Sequence, residues 1–114
     1  MKINIEINGE IFEADIENSS TGKAFLDLLP MELEMNELNG NEKYFYLDES
    51  LPVNPYSPNT IRKGDIMLFG SSCLVIFYEN FNTSYSYTRI GKINNANNLD
   101  ITLGSGDVTV TFSK

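Results

Sequence analysis

Two Asn-Gly pairs, Asn8-Gly9 and Asn39-Gly40, constrain this chain more than any other feature, because each lies between runs in which apolar and polar residues alternate. Asn-Gly accepts the positive φ angles of tight hairpin turns, and an alternation of period two gives each strand one face for a core. Ile3, Ile5 and Ile7 alternate with Lys2, Asn4 and Glu6 ahead of the first pair. A two-residue turn then sets Ile7 opposite Glu10, Ile5 opposite Phe12 and Ile3 opposite Ala14. A slip of one residue would oppose the isoleucines to Ile11, Glu13 and Asp15, so the pattern selects its own register. The same turn at the second pair predicts Met35 opposite Tyr44 and Leu33 opposite Tyr46.

Between the hairpins, "NSSTGKAFLDLLP" offers Ser19 or Ser20 as a helix cap, and it repeats Ala24, Phe25, Leu28 and Leu29 at helical spacing before Pro30. A short helix of two to three turns is expected there. Its Gly22-Lys23 pair lacks the upstream glycine and the following Ser/Thr of a phosphate loop, and reads as an ordinary helix start. From Asp48 to Gly64, prolines 52, 55 and 58 predict an extended loop. "DIMLFG" and "SCLVIFY" read as strands buried on both faces, in one wall of a barrel with a helix outside. The segment "ENFNTSYSYTRIG", residues 79–91, reads as a strand running on through "RIGKI". An Asn-rich turn follows, then the alternating Leu99, Ile101 and Leu103. A last strand sets Val108, Val110 and Phe112 against Thr109 and Thr111. Many short antiparallel strands predict a mainly β protein, a closed barrel or sandwich without open edges.

At 114 residues the chain is expected to form a single domain. Sixteen acidic residues against eight basic ones give a net charge of −8, which disfavours both nucleic acid and an anionic membrane surface as partners. The alternating N-terminus lacks an uninterrupted apolar stretch and is expected to be neither a signal peptide nor an anchor. One cysteine, Cys73, cannot form an internal disulfide, which suits the cytoplasm. The absence of histidine removes Ser-His and Cys-His nucleophiles, and one cysteine alone cannot build an ordinary zinc site, so no metal and no cofactor is expected. Cys73 reads as a small core hydrophobe, Asp48-Glu49 as a solvated loop, and Gly104-Ser105-Gly106 as a turn.

The ordered set of a hairpin at "INGE", a helix ending in "LLP", a tyrosine-rich hairpin, "GDIMLFG", "LVIFY", an aromatic loop and "RIGKI" resembles the small bacterial cyclophilin-like proteins. That family is related in fold to the peptidyl-prolyl isomerases, and the resemblance runs from about Ile3 to Phe112. It implies a closed antiparallel eight-stranded barrel with one or two short capping helices. It also implies a pocket, with Met67 and Phe69 on one strand, Val75 and Phe77 on the next, and Tyr85, Tyr87 and Arg89 from "ENFNTSYSYTRIG", the place of the isomerases' pocket tryptophan and histidine. The segment matching the isomerases' catalytic arginine, "EKYFYLDESLPV", contains none. Lys43 is its only basic residue and lacks the planar fork of a guanidinium.

Strand parity puts Thr83, Tyr85, Tyr87 and Arg89 on one face, with Glu79 available to pair a buried guanidinium; a bulge at Gly91 would instead turn Arg89 to solvent. Tyrosines present only for packing, with a surface ion pair at Arg89, are the alternative to a site. No catalytic residue follows from these patterns. The expected function is a cytoplasmic binding module that holds a peptide segment or small-molecule ligand against Met67, Phe69, Val75, Phe77, Tyr85, Tyr87 and Arg89. The rival is a weak or atypical peptidyl-prolyl isomerase, with Arg89 or Arg62 replacing the missing arginine. Twisting an X-Pro bond faces about 18–20 kcal/mol, and a ten-thousandfold catalyst must supply roughly 5.5 kcal/mol of differential stabilisation. A third class is an interaction subunit that makes contact through the loop from Leu51 to Ile61.

Overall fold

The first hairpin forms in the register its isoleucines select. In a computed structural model that describes residues 1–114, β1 (Lys2–Ile7) and β2 (Glu10–Ile16) pair Ile7 with Glu10, Ile5 with Phe12 and Ile3 with Ala14. Asn8 and Gly9 supply the positive φ angles of 50° and 82° that the turn needs. Helix α1 (Ser20–Asp27) follows, and the Ser19 hydroxyl accepts the Gly22 N–H at 3.0 Å as its cap.

β3 (Met31–Leu38) and β4 (Glu42–Tyr46) form the second hairpin, and here the register differs from the sequence reading. Asn36 pairs with Tyr44, Glu37 with Lys43 and Leu38 with Glu42, which leaves Asn39, Gly40 and Asn41 as a loop of three residues instead of two. Glu37 accounts for the longer loop: its Oε2 accepts the Gly40 N–H at 2.7 Å, and its Oε1 receives the Lys43 ammonium at 2.8 Å. A shift of one residue reverses every side chain of β4. Phe45 turns inward with Lys43, and Tyr44 and Tyr46 turn outward.

β5 (Thr60–Ile61), β6 (Asp65–Phe69), β7 (Cys73–Phe77), β8 (Phe81–Asn82), β9 (Thr88–Ile93), α2 (Leu99–Leu103) and β10 (Val108–Ser113) complete the chain. Eight strands close into a barrel in the order β1-β10-β3-β4-β7-β6-β9-β2, and β5 and β8 pair separately as a short ribbon. The mainly β, eight-stranded antiparallel barrel with two short helices is the architecture that the family resemblance implied. Leu99 and Leu103 are buried and Ile101 is exposed, so this stretch is α2 and not the strand its alternation suggested. A spacing of four residues places side chains on one face of a helix as well as of a strand.

Ile5, Ile66, Leu68, Leu74, Ile76, Val110 and Phe112 fill the interior, with the Phe25 ring of α1 meeting Phe112 edge-on at 5.7 Å. Burying each such side chain contributes about 1.5–3 kcal/mol. A second apolar cluster lies on the outer face of the same wall: Ile61, Met67, Cys73, Val75, Phe77 and Tyr87. β6 and β7 are therefore buried on both faces, but what covers them outside is loop and ribbon, not the expected helix. The proline-rich loop is fixed across this wall by the Tyr56–Tyr87 backbone pair at 2.9 and 3.0 Å, by Thr83 N–H to the Asn59 carbonyl at 2.9 Å, and by the Thr21 hydroxyl to the Pro52 carbonyl at 2.6 Å.

Candidate functional site

The segment 79–91 divides where the sequence reading ran it as one strand. Residues 81–82 belong to β8, residues 83–87 form a loop, and β9 begins at Thr88. Tyr85 consequently escapes strand parity: it is 63% exposed, with its N–H donating to the Thr83 hydroxyl at 3.1 Å. Tyr87 is buried, its ring edge-on to Phe77 at 5.5 Å and tilted against Phe69 at 5.7 Å. A bulge does occur beside Gly91. Ile66 pairs with Gly91 and Met67 with Arg89, which leaves Ile90 as the extra residue, buried in the barrel core.

Arg89, cross-strand from Met67, stands on the outer face with Tyr87 but does not join its surroundings. Its guanidinium donates to Asp65 Oδ1 at 3.4 Å, so Asp65 and not Glu79 is the partner. Burial alone would lower its pKa, and the charge of Asp65 together with the adjacent Tyr56 hydroxyl brings the net shift upward. Asp65 is itself fixed from the other side, its Oδ2 accepting the Arg62 N–H at 2.9 Å.

Beyond Met67, toward the Phe69 and Cys73 ends of their strands, the outer wall opens into a cleft of about 310 Å³. Tyr44 and Tyr46, from alternate positions of β4, form one side, their rings edge-on at 5.9 Å. Phe69, Tyr85 and Tyr87 form the other, with Phe69 and Tyr85 edge-on at 5.9 Å. Cys73 and Val75 make the floor, and Leu38, Asn39 and Glu42 close one end. Of the residues expected to hold a ligand, Phe69, Val75, Tyr85 and Tyr87 line this cleft. Met67 and Phe77 lie in the apolar layer beside it, and Arg89 lies outside it.

Leu38, Asn39, Glu42, Tyr44, Tyr46 and Cys73 are cleft residues that the sequence reading missed. The one-residue difference in register at the second hairpin accounts for three of them, since Glu42, Tyr44 and Tyr46 share the face of β4 that a two-residue turn would direct inward. For Cys73, its alternation with Val75 and Phe77 was the available signal.

The electrostatics of the cleft centre on Glu42. Desolvation and the neighbouring Glu37 charge push its carboxyl up to about 7. Burial likewise raises the Cys73 thiol and the Tyr87 hydroxyl, so both are neutral near pH 7, while Cys73 raises the adjacent Tyr46 hydroxyl. None of the lining residues is Lys or Arg. Lys43, next to Glu42 in sequence, points to the barrel interior. Its ammonium donates to Glu37 and to the carbonyls of Gly104 and Gly106, and it lies 5.3 Å from the centre of the Tyr78 ring.

A family model described as the cyclophilin-like family matches residues 5–113. Among solved structures, the barrel is similar to that of a hypothetical protein from Archaeoglobus fulgidus determined in solution, with a TM-score of 0.62 and 17% identity over 99% of this chain and 93% of that one. Comparison with curated proteins gave no match. At that identity the solved structure carries the fold alone.

Proposed function

The chain belongs to the cyclophilin-like family, and from that premise we propose that it is a binding module which holds a peptide segment or small organic ligand in the outer-wall cleft. The observation that carries this reading is the state of the aromatic walls. Tyr46 and Tyr85 are each 63% exposed and Phe69 is 43% exposed, yet they face one concavity whose floor is fully formed. Exposed aromatic surface converging on a preformed cleft is the usual architecture of a small ligand site, and about 310 Å³ is near the lower end of such sites. The protein ties the proline-rich loop and the loop carrying Tyr85 to each other through their backbones, so the cleft exists before a ligand arrives.

Isomerisation is the weaker reading. A twisting prolyl bond needs a donor placed over the pocket, and Arg89 is held by Asp65 at 3.4 Å outside the cleft. Thermal-shift screening with proline peptides and small organic molecules tests the binding reading, because a ligand at a hundred times its dissociation constant adds about 2.7 kcal/mol. Ligands found in this way should lose affinity at least tenfold in Tyr46→Ala and in Tyr85→Ala. Affinity unchanged in both variants would place binding elsewhere and overturn the proposal.

A further inference from the structure

We infer that the ligand of the cleft is an organic cation, an alkylated ammonium or a guanidinium, seated between the Tyr44–Tyr46 and Phe69–Tyr85 walls with Glu42 as its counter-ion. This inference rests on the cleft being a ligand site. Three independent features of the geometry converge on it.

The first is the aromatic enclosure. Four rings, Tyr44, Tyr46, Phe69 and Tyr85, stand around the opening as two edge-on pairs, with Tyr87 behind them. Ring faces carry partial negative charge, and a cage of them attracts a cation whose hydration is weak enough to surrender. Methylated ammonium and guanidinium groups meet that condition.

The second is the absence of a cation from the cleft, none of whose lining residues is Lys or Arg. Glu42 takes part in none of the ion pairs of the molecule, and Lys43, Lys63 and Arg89 are engaged by Glu37, Asp100 and Asp65. Lys2 is engaged by Glu13 and Asp15 on another part of the barrel. A partly buried carboxylate at the end of an aromatic cleft without a partner is costly, and a bound cation would remove that cost. The burial that lifts Glu42 to about 7 is the same unmet demand in another form.

The third is the field of the whole molecule. A net charge of −8 draws cations toward the surface and repels anionic ligands.

Glu42 faces few other titratable groups. Glu37 from β3, Cys73 from β7, Tyr78 just beyond β7, and Tyr87 from the outer loop surround it electrostatically, while Tyr44, Tyr46 and Tyr85 line the cleft with it. In the range from pH 5 to pH 8 Glu42 is the one that changes charge. Cation affinity should therefore rise with pH across that range.

The test compares choline, a trimethyllysine peptide and arginine amide with 3,3-dimethylbutan-1-ol, the uncharged isostere of choline. Binding is followed by NMR shifts of the Tyr44, Phe69 and Tyr85 signals at pH 5 and pH 8. At least one cation should bind the cleft tenfold or more tightly than the alcohol at pH 8. That preference should shrink at pH 5 and vanish in Glu42→Gln, with the folded spectrum of the variant verified first. Preference among the three cations identifies whether a peptide side chain or a small amine is the better source. If the alcohol binds the cleft as well as the cations, the cleft is a ligand site and the cation inference is wrong. If no cation shifts the cleft signals, the cation inference is also overturned, and the screen with neutral ligands then decides the binding reading separately.

Discussion

Glu42 and Lys43 are neighbours in the chain and occupy opposite sides of the barrel wall: the lysine is sealed inside on Glu37, and the glutamate lies outside in an aromatic cleft without a cation. The pleat of β4 alternates its side chains, so the three-residue loop that directs Lys43 inward necessarily presents Glu42, Tyr44 and Tyr46 outward. One structural ion pair thereby sets the composition of the candidate site.

Lys43→Met should destabilise the protein by about 3 kcal/mol, since removing one partner of a buried pair leaves the other uncompensated. Glu37 and the Gly104 and Gly106 carbonyls would all lose their donor. Urea unfolding checks this, and adding Glu37→Leu to the variant should recover part of the loss.

Glu42 makes stability depend on pH in a direction opposite to that of most carboxylates. Its folded pKa of about 7 exceeds the ordinary 4.5, so between those values the folded state binds more protons than the unfolded chain. Its contribution is greatest below about pH 4.5, declines as pH rises toward 7, and is level above that. Glu37 is shifted the other way, and what it contributes is lost only at lower pH. The urea midpoint should therefore fall from pH 5 to pH 8, and Glu42→Gln should flatten the change while raising the midpoint at pH 8.

Gly91→Ala should cost roughly 1–3 kcal/mol through overpacking. A Cβ at this position would overlap the Asp15 carbonyl and meet Ile16 Cδ1 at 3.0 Å, where β2 and β9 pair. Gly106→Ala serves as the control, because nothing lies within 4 Å of its Cβ position and the change should stay within about 1 kcal/mol. Thermal melts of the two variants separate the cases.

Cys73 should react slowly with iodoacetamide in the folded protein. Its sulfur is buried in the floor of the cleft and its thiol is pushed up by desolvation, which leaves little thiolate at neutral pH. Mass spectrometry should show the modification accelerate sharply in urea. Equal rates in both conditions would mean that the cleft floor is open.

The first hairpin was legible because two signals coincided, a turn that admits two residues and an alternation that rewards one register. At the second hairpin the alternation of Met31, Leu33 and Met35 correctly marked the inner face of β3, but β4 has aromatic residues on both faces. Tyr44, Phe45 and Tyr46 look alike to a pattern of apolar and polar residues. A pattern that cannot distinguish the faces cannot count the residues in the loop. Likewise, Tyr85, Tyr87 and Arg89 shared a parity that presupposed a strand, and the chain enters β9 only at Thr88.

The sequence by itself determined the local geometry: the Asn-Gly turn at Asn8, a serine cap at Ser19 or Ser20, the inward faces of β1, β3 and β10, and the closed barrel or sandwich that so many short strands imply. Each of these depends on residues a few positions apart, whose energies are set by φ preference and by alternation. Only the tertiary structure decided the cleft. Its walls come from β4, from β6 and β7, and from the loop at Tyr85, and their meeting required the Glu37–Lys43 pair to fix one register and Asp65 to hold Arg89 aside. Asp65 and Arg89 lie 24 residues apart, and Lys43 also needs the carbonyls of Gly104 and Gly106 from the far end of the chain, so both arrangements depend on separations in space that only closure of the barrel sets.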